Sequence, residues 1–409
     1  MSWTREQKHV AAAAYLGWTL DAFDFFLTVF VLKDIAHEFG VKISDVSFAI
    51  MLTLMMRPIG ALIFGRIADR FGRKPTLMAN VALFSLFELL SGFSPNLTVF
   101  LILRALFGVA MGGEWGVGAA LTMETIPSKS RGIVSGLLQA GYPSGYLIAS
   151  VVFGLLYQHV GWRGMFFVGV LPALLVLYIR RNIPESPAWT AMEKRAHHHV
   201  SLLATIGRNL KLSIYAIVLM TCFNFFSHGS QDLYPTFLRV QHQLDVHMVS
   251  LITIVLNIGA IIGGLGFGMI SERIGRRYAI FIAALIALPV LPLWAFSSTP
   301  FLLAVGAFLM QIAVQGAWGV IPVHLNEISP EAIRATFPGL VYQLGNLLAS
   351  YNGPLQAKIA EAHGNDYASV MAVVIGIVAV LIMALILFSP ERRGIDMARA
   401  TSAGSSGQA

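Results

Sequence analysis

The chain carries very little charge and almost no cysteine. Of its 409 residues, 12% are charged and 56% are hydrophobic, and the mean hydropathy is +0.71. Soluble domains carry about 25% charged residues, so the composition excludes a water-soluble globular protein of this length. The single cysteine, Cys222, excludes an internal disulfide framework and a cysteine-based metal site.

Catalytic and metal-binding patterns are also missing. No His-x-x-x-His motif and no cysteine pair lies in an apolar run, so we do not expect an enzyme, a cofactor or a resident metal. Three consecutive histidines (197–199) have no partner ligands nearby and are interpreted as part of a solvated loop. The first apolar run lacks a small-residue cleavage site, so no removable leader is expected.

Apolar runs of about 20 residues recur along the whole chain, and each matches the length needed to cross about 30 Å of hydrocarbon as a helix. In lipid every backbone polar group must be satisfied internally, which favours helices. We predict twelve spans, near 11–31, 47–67, 76–94, 98–120, 132–157, 163–180, 212–237, 247–270, 278–297, 301–322, 335–359 and 367–388.

Lysine and arginine are unevenly distributed between the predicted loops. Most lie in alternate segments beginning with the N-terminal one, whereas the opposite side holds Lys33, Lys42, Arg163, Arg239 and Lys358. Cytoplasmic loops carry the excess of positive charge, so both termini are predicted to be cytoplasmic, with the chain in the inner membrane. The net charge of +7 therefore indicates topology and not a nucleic-acid partner.

The sequence repeats itself at one constant offset. Gly65–Lys74 (GRIADRFGRK) aligns with Gly268–Arg277 (GMISERIGRR), and Gly113–Gly116 aligns with Gly316–Gly319. This repeat predicts two parallel six-helix halves related by an axis along the membrane normal. We assign residues 1–181 to the N-terminal half, 182–211 to a cytoplasmic linker, 212–390 to the C-terminal half and 391–409 to a flexible tail.

The Gly-x-x-x-Asp-Arg-x-Gly-Arg-Lys element at Gly65 resembles the signature loop of the major facilitator superfamily. The resemblance implies an all-α membrane protein with twelve transmembrane helices in two pseudo-symmetric halves, working by alternating access, and we expect it to be monomeric. It also implies that charged residues at this loop and its repeat gate the cytoplasmic ends of the halves. These gating candidates are Asp69, Arg70, Arg73, Glu272 and Arg276.

Charged residues within the first, second and fourth spans are candidates for function. A charge at the bilayer centre costs about 2.5–3.5 kcal/mol, so each requires a reason. Asp21 and Arg57 are predicted at similar depth, as are Asp24 and Arg104. These residues form either two internal salt bridges or a substrate and proton path, and we favour the path.

Two glutamates complete the intramembrane charges of the first half. Glu114 in the fourth span is a further proton candidate beside Asp21 and Asp24. Glu88 lies on the third span, which is peripheral in this family, and we interpret it as structural.

The seventh span carries a polar stripe. Asn224, Ser227, His228, Gln231 and Asp232 fall within about 140° of helical arc. A lone membrane histidine is more often a packing residue, but an imidazole and a carboxylate one turn apart favour a hydrated substrate or proton path. Asp232 lies far along the span, which leaves its depth open between the centre and the outer mouth.

The same string resembles the Asn-x-x-Ser/Thr-His-x-x-Gln-Asp-x-x-x-Thr element of the lactate/pyruvate:proton symporters, which are grouped with the sialate:proton symporters. The resemblance extends to Thr236 and marks the stripe for substrate translocation. With Arg57, it gives a set of substrate-binding candidates in four spans: Arg57, Tyr142, Asn224, His228, Gln343 and Asn346. The proton-coupling candidates are Asp21, Asp24, Glu114, His228 and Asp232.

The resemblance implies a proton-coupled symporter of small monocarboxylates such as lactate or pyruvate. Its expected partners are a small organic anion, protons and the lipid bilayer. Carboxylates and a histidine suit protons, whereas no carbonyl cage typical of sodium sites is evident. Two alternative cargoes stay open. Asp21-Ala-Phe-Asp24 also resembles an element of the aromatic-acid:proton symporters, and sialic acid is a second competing cargo. A transporter-fold sensor without flux is the alternative from another class.

Overall fold

The computed structural model describes residues 3–125, 131–171, 173–185, 207–329 and 337–391. Within these ranges the side chains at 66, 69, 115–120, 122–124, 131–136, 175–177, 180–181 and 326 are outside the description. The described residues form helices and no strand. In chain order these are α1 (Arg5–Phe39), α2 (Ile43–Phe71), α3 (Arg73–Gly92), α4 (Leu97–Thr125), α5 (Arg131–Val168), α6 (Ala173–Asn182), α7 (Leu210–Gln231), α8 (Tyr234–Val240), α9 (Val246–Ile274), α10 (Arg276–Ala295), α11 (Pro300–Ile328), α12 (Phe337–Ala349), α13 (Asn352–Ala362) and α14 (Tyr367–Leu387).

Ten of these helical stretches are long and apolar enough to cross a membrane within the part of the chain that the structure describes. The predicted sixth and eleventh spans are interrupted instead of continuous. The first part of the sixth span is the end of α5, beyond Gly161, where the backbone leaves helical geometry (φ 64°, ψ −175°). Its second part is α6. The eleventh divides into α12 and α13 at Ser350–Tyr351. Pro354, in the first turn of α13, lacks the N–H that would bond the carbonyl of Ser350.

Close helix contacts repeat in the two halves. A β-carbon at Gly60 of α2 would lie 1.9 Å from the carbonyl oxygen of Val109 in α4, so only glycine permits this approach. In the second half, a β-carbon at Gly263 of α9 would lie 2.5 Å from the carbonyl oxygen of Ile312 in α11. The α2–α4 and α9–α11 contacts are equivalent under the sequence repeat, which supports the two-half architecture.

The two repeated loops have the same backbone form. Gly72 (φ 106°) separates α2 from α3 and Gly275 (φ 93°) separates α9 from α10, and the positive φ favours glycine at both reversals. Glu185 accepts a hydrogen bond from the backbone N–H of Arg73 (2.9 Å), and Glu391 accepts one from that of Arg277 (3.1 Å). Each glutamate therefore caps the N-terminus of a helix, where the helix dipole favours an anion. Sequence reasoning did not identify either cap.

The two halves meet closely at one face of the bundle. We call the face with the α1–α2 turn at Gly40 the distal face, and the face with Gly72 the proximal face. At the distal face Ser44 in α2 donates hydrogen bonds to Glu361 in α13 from its N–H (2.9 Å) and its hydroxyl (2.7 Å). Slightly deeper, the Ser250 hydroxyl of α9 donates to the Ser150 carbonyl of α5 (2.6 Å). These bonds join the halves, so the structure is closed distally.

Candidate functional site

Arg57 is a completely buried arginine whose hydrogen-bonding capacity is largely unused. Its Nε and Nη2 atoms have no hydrogen-bond partner among the described residues. Its guanidinium carbon lies 5.5 Å from the Trp18 ring centroid and 5.9 Å from that of Tyr342, which belongs to the other half. The Asp21 carboxylate is 3.9 Å away, within ion-pair range but beyond a hydrogen bond. The Arg57–Asp21 pairing predicted from depth is confirmed.

Buried carboxylates surround this arginine. Asp21 and Glu114 are each 1% exposed or less, and none of their carboxylate oxygens has a hydrogen-bond partner within the described part of the chain. Glu114 is within electrostatic reach of both Asp21 and Arg57. Its Oε1 occupies the space beside Gly17 of α1, where a β-carbon would lie only 2.2 Å away. A buried ionised carboxylate without such bonds is costly, so these groups are suited to carrying a proton.

Arg104, predicted at the same depth as Asp24, pairs with Glu88 instead. Its Nη2 donates to Glu88 Oε2 at 2.7 Å and to the Ser91 hydroxyl at 2.7 Å, and its Nη1 donates to the Thr28 hydroxyl at 3.2 Å. Counting residues gives the depth of a side chain but not which neighbouring helix it faces, and α3 supplies the closer carboxylate. Asp24 is buried nearby, and both its carboxylate oxygens lack hydrogen-bond partners among the residues described.

The polar stripe of the seventh span lies at the end of a helix. α7 ends at Gln231, Asp232 is its C-cap, and α8 starts two residues later with Pro235 in its first turn. His228 Nδ1 lies 3.0 Å from Asp232 Oδ2, and the two side chains are 4% and 1% exposed. Asp232 is therefore buried in the protein and not at an open mouth. Interrupted helices at the interface of two repeats are typical of transporter binding sites.

The stripe divides between two neighbours. The Gln231 amide donates to Gln311 of α11 (2.7 Å), and the Ser227 hydroxyl accepts from Gln315 (3.4 Å), so both bond within their own half. His228, by contrast, makes an edge-on contact with Phe25 of α1, with ring centroids 5.8 Å apart. Sequence reasoning missed Gln311 and Gln315, although both are amides inside an apolar run.

Asn224 and the eleventh-span amides retain free polar atoms. Asn224 donates to the Met220 carbonyl of its own helix (2.8 Å), and Asn346 donates to Gln343 (3.2 Å). The side-chain oxygens of Asn224 and Asn346 accept no hydrogen bond from the described residues. The three amide residues are at most 2% exposed.

Tyr142 links the charged groups of the two halves. Its ring lies 5.5 Å from that of Trp18 and 5.3 Å from that of Phe26. It is within electrostatic reach of Asp232 and Tyr342 on one side and of Arg57 and Asp21 on the other. Arg57 of α2, Tyr142 of α5 and the His228–Asp232 pair at the end of α7 therefore face one buried region between the halves.

The predicted gating residues are only partly visible. The Asp69 side chain lies outside the described residues, and Arg70 is exposed with its guanidinium 5.3 Å from the ring centroid of Phe71. Arg276 donates to Glu272 (2.9 Å) and to Glu327 of α11 (3.3 Å), both in its own half. Arg73 holds Glu185 through its backbone N–H. The gating role of these residues stays a prediction.

The site has the chemistry of an anion and proton site. No group of three or more His, Cys, Asp or Glu suited to a metal occurs among the residues that the structure describes. The Arg57 guanidinium can donate two parallel hydrogen bonds to a carboxylate, while Asp21 and Glu114 can exchange protons close by. Aromatic rings from Trp18 and Tyr342 bound the space around the cation.

Comparison with known proteins gives consistent matches over most of the chain. The Major Facilitator Superfamily model matches residues 14–241, and the Sugar (and other) transporter model matches residues 212–393. The carboxylic acid transporter protein homolog of Saccharomyces cerevisiae is 30% identical, over 94% of this chain and 68% of that protein. The sialic acid transporter NanX of Escherichia coli is 29% identical, over 83% of this chain and 84% of that protein.

Among solved structures, the partially occluded inward-open form of the xylose transporter XylE from E. coli is similar in fold. Its TM-score is 0.76 at 20% sequence identity, covering 96% of this chain and all of that one. The match confirms the predicted fold class.

Proposed function

The chain belongs to the major facilitator superfamily, and we propose that it is a proton-coupled symporter of small monocarboxylates such as lactate or pyruvate. Membership makes it a multi-pass membrane transporter and not an enzyme. We further propose that it is located in the inner membrane with both termini in the cytoplasm, which places the distal face on the outer side of that membrane.

The observation that carries this proposal is the state of Arg57. The guanidinium is fully buried, its Nε and Nη2 have no hydrogen-bond partner among the described residues, and the Asp21 carboxylate lies 3.9 Å away. An anion that accepts two hydrogen bonds would satisfy these donors and neutralise the buried charge. A carboxylate group fits that geometry, and the similarity to a carboxylic acid transporter homolog supports the same cargo class.

Proton coupling follows from the charge balance of transport. Moving an anion into an inside-negative cell is opposed by about 2.3 kcal/mol per 100 mV. A co-transported proton cancels that charge, and an inward pH gradient contributes about 1.36 kcal/mol per pH unit. When a substrate carboxylate binds Arg57, Asp21 loses its counter-charge and accepts the proton. Neutralisation of the site then allows the halves to rock to the opposite conformation.

The test is uptake of labelled lactate into proteoliposomes. Uptake is expected to follow an inward proton gradient, to be abolished by a protonophore and to be independent of sodium. Liposomes without the protein give the background. Sodium-dependent uptake that resists the protonophore would contradict proton coupling. Absence of flux despite lactate binding would favour the transporter-fold sensor.

Sialic acid is the second candidate cargo, because NanX is similar over most of both chains. It is also a monocarboxylate, so it can use Arg57 in the same way but requires more space around the cation. Competition of lactate uptake by pyruvate, acetate, benzoate and sialic acid separates the candidates. Strong competition by sialic acid or benzoate with none by pyruvate would reassign the cargo.

A further inference from the structure

We propose that a recess on the distal face is a loading subsite for the substrate carboxylate, and that Asp34 occupies its arginine until substrate displaces it. The proposal rests on an anionic cargo, as inferred above. It adds a second binding site, remote from Arg57, and assigns its ligand class as small carboxylates.

The recess has a volume of about 470 Å³ and is lined by residues of both halves. α1 and α5 contribute Lys33 and Gln158, and the C-terminal half contributes Arg239, Gln243 and Asp245. Asp245 is the N-cap of α9, and its carboxylate accepts a hydrogen bond from the Met248 N–H (2.9 Å), so its charge is held at a helix terminus. The remaining charges that line the recess, Lys33 and Arg239, are both positive.

Arg239 connects the recess to the closed distal face. It belongs to α8 and donates two hydrogen bonds to Asp34 of α1, from Nη1 at 2.6 Å and from Nη2 at 3.1 Å. Nη1 also donates to the Phe30 carbonyl (3.2 Å). The side chains of Arg239 and Asp34 are 10% and 19% exposed, so solvent still reaches this ion pair. Arg239 therefore holds a carboxylate in the two-pronged geometry that suits carboxylate ligands.

Exchange of carboxylates at Arg239 would release one half from the other. Asp34 and Arg239 lie in different halves, so a substrate carboxylate that replaces Asp34 removes an ion pair across the interface. Lys33, exposed beside Asp34, supplies the positive field that concentrates anions at the recess. Gln243, at φ 52°, has a left-handed backbone that is uncommon for a non-glycine residue, as often found near ligand sites.

Kinetics test the loading role of Lys33. Lys33→Gln is expected to raise the KM for lactate on the order of tenfold at low salt with little change in kcat, and Lys33→Arg to restore it. Lys358→Gln is the matched control, because Lys358 is also an exposed lysine but does not line the recess. Equal KM values for Lys33→Gln and Lys358→Gln would overturn the subsite. Wild-type uptake in the same assay reports on the proposed function separately.

Accessibility tests the exchange at Arg239 without requiring transport. In a Cys222→Ala background, Ser150→Cys places a thiol at a fully buried position beside the Ser250 contact that joins the halves. A membrane-impermeant thiol reagent on the distal side is expected to label it faster when lactate or sialic acid is present. Asp34→Asn is expected to give fast labelling without ligand, and Arg239→Gln to abolish the ligand dependence. A labelling rate that is unchanged by lactate and by sialic acid, or slow labelling of the Asp34→Asn variant without ligand, would refute the exchange.

Discussion

The N-terminal half contains two completely buried arginines whose surroundings differ. Arg104 donates to a carboxylate, two hydroxyls and a backbone carbonyl, and its guanidinium carbon lies 4.3 Å from the Phe107 ring centroid. Arg57 lies between two aromatic rings with two nitrogens unbonded among the described residues. Both carry the cost of a buried charge, but hydrogen bonds from neighbouring groups offset more of that cost at Arg104 than at Arg57.

The difference assigns the two arginines different roles. A fully satisfied buried ion pair holds helices together and has nothing left with which to recognise a ligand. A buried cation with free donors leaves part of its interaction energy for a ligand that arrives later. The sequence places Arg57 at the depth of Asp21 and Arg104 at the depth of Asp24. The structure pairs Arg57 with Asp21 but Arg104 with Glu88, and we propose that Arg104–Glu88 is a structural pair and Arg57–Asp21 a binding pair.

The largest expected effect is on stability, at Arg104. Arg104→Met leaves the Glu88 carboxylate buried without its partner, and breaking a buried pair in this way costs about 3–5 kcal/mol of unfolding free energy. Arg104→Met with Glu88→Leu should recover most of the loss, since a well-packed apolar pair can replace a buried ion pair. Thermal unfolding of the purified protein in detergent measures both. A double variant as unstable as the single one would mean that the ion pair is not what stabilises this region.

The next effect is on binding, at Arg57. Arg57→Gln removes the cation proposed to bind the substrate carboxylate. It should weaken lactate binding by more than about 2 kcal/mol, the low end for truncating one member of a buried charge pair. Arg57→Lys keeps the charge but loses the planar two-pronged donor, so transport should also fall strongly. Calorimetry at fixed pH measures affinity, and thermal unfolding should show a smaller loss than Arg104→Met. Near-normal affinity would make Arg57 a structural partner of Asp21.

The sequence predicted the fold closely because hydropathy and the repeat both report on it directly. The two halves follow from span length and the repeat offset, and the proximity of Arg57 and Asp21 follows from their similar depth. Depth could not predict that Arg104 chooses Glu88, because that choice depends on which face of α4 meets α3. Helix rotation is set by side-chain packing, which a count along one chain does not contain.

The same limit applies to the seventh span. Its periodicity placed five polar residues on one stripe, but the stripe is wide enough to face two neighbours. Ser227 and Gln231 bond amides of α11, whereas His228 contacts α1. The break after Gln231 could have been anticipated from Pro235, which cannot donate to the Gln231 carbonyl.

A smaller effect tests the same division within α7. Gln311→Leu removes the acceptor of the Gln231 amide, and interhelical hydrogen bonds in membranes average about 0.6 kcal/mol, so a modest loss of stability with unchanged lactate affinity is expected. Asn224→Ala is the counterpart, because the Asn224 side-chain oxygen is buried and unbonded among the described residues. It should lower affinity with little effect on unfolding. Thermal unfolding and calorimetry on both variants provide the measurements, and exchanged outcomes would reverse the assignment.

The smallest effect concerns the hydrogen bond between the Tyr146 hydroxyl and the Gln231 carbonyl. Because Pro235 lacks an N–H, the Gln231 carbonyl loses its intrahelical donor, and the Tyr146 hydroxyl of the other half lies 3.5 Å from it. That distance is at the limit of a hydrogen bond, so Tyr146→Phe should cost no more than about 0.5 kcal/mol, the low end for such bonds. Phe preserves the stacking on Phe26, at 3.7 Å between ring centroids, and the fold should be unaffected.

The Tyr146 bond joins the halves at a depth between the distal contacts and Arg57, so its loss should act on conformation. A cost of about 0.5 kcal/mol corresponds to roughly a twofold shift away from the distally closed state. Labelling of Ser150→Cys from the distal side should therefore rise about twofold in Tyr146→Phe, with lactate affinity within the same factor. A tenfold loss of affinity at unchanged labelling would instead place the Tyr146 hydroxyl among the groups that hold the substrate. The break in the seventh span at Gln231 would then be part of the binding site itself.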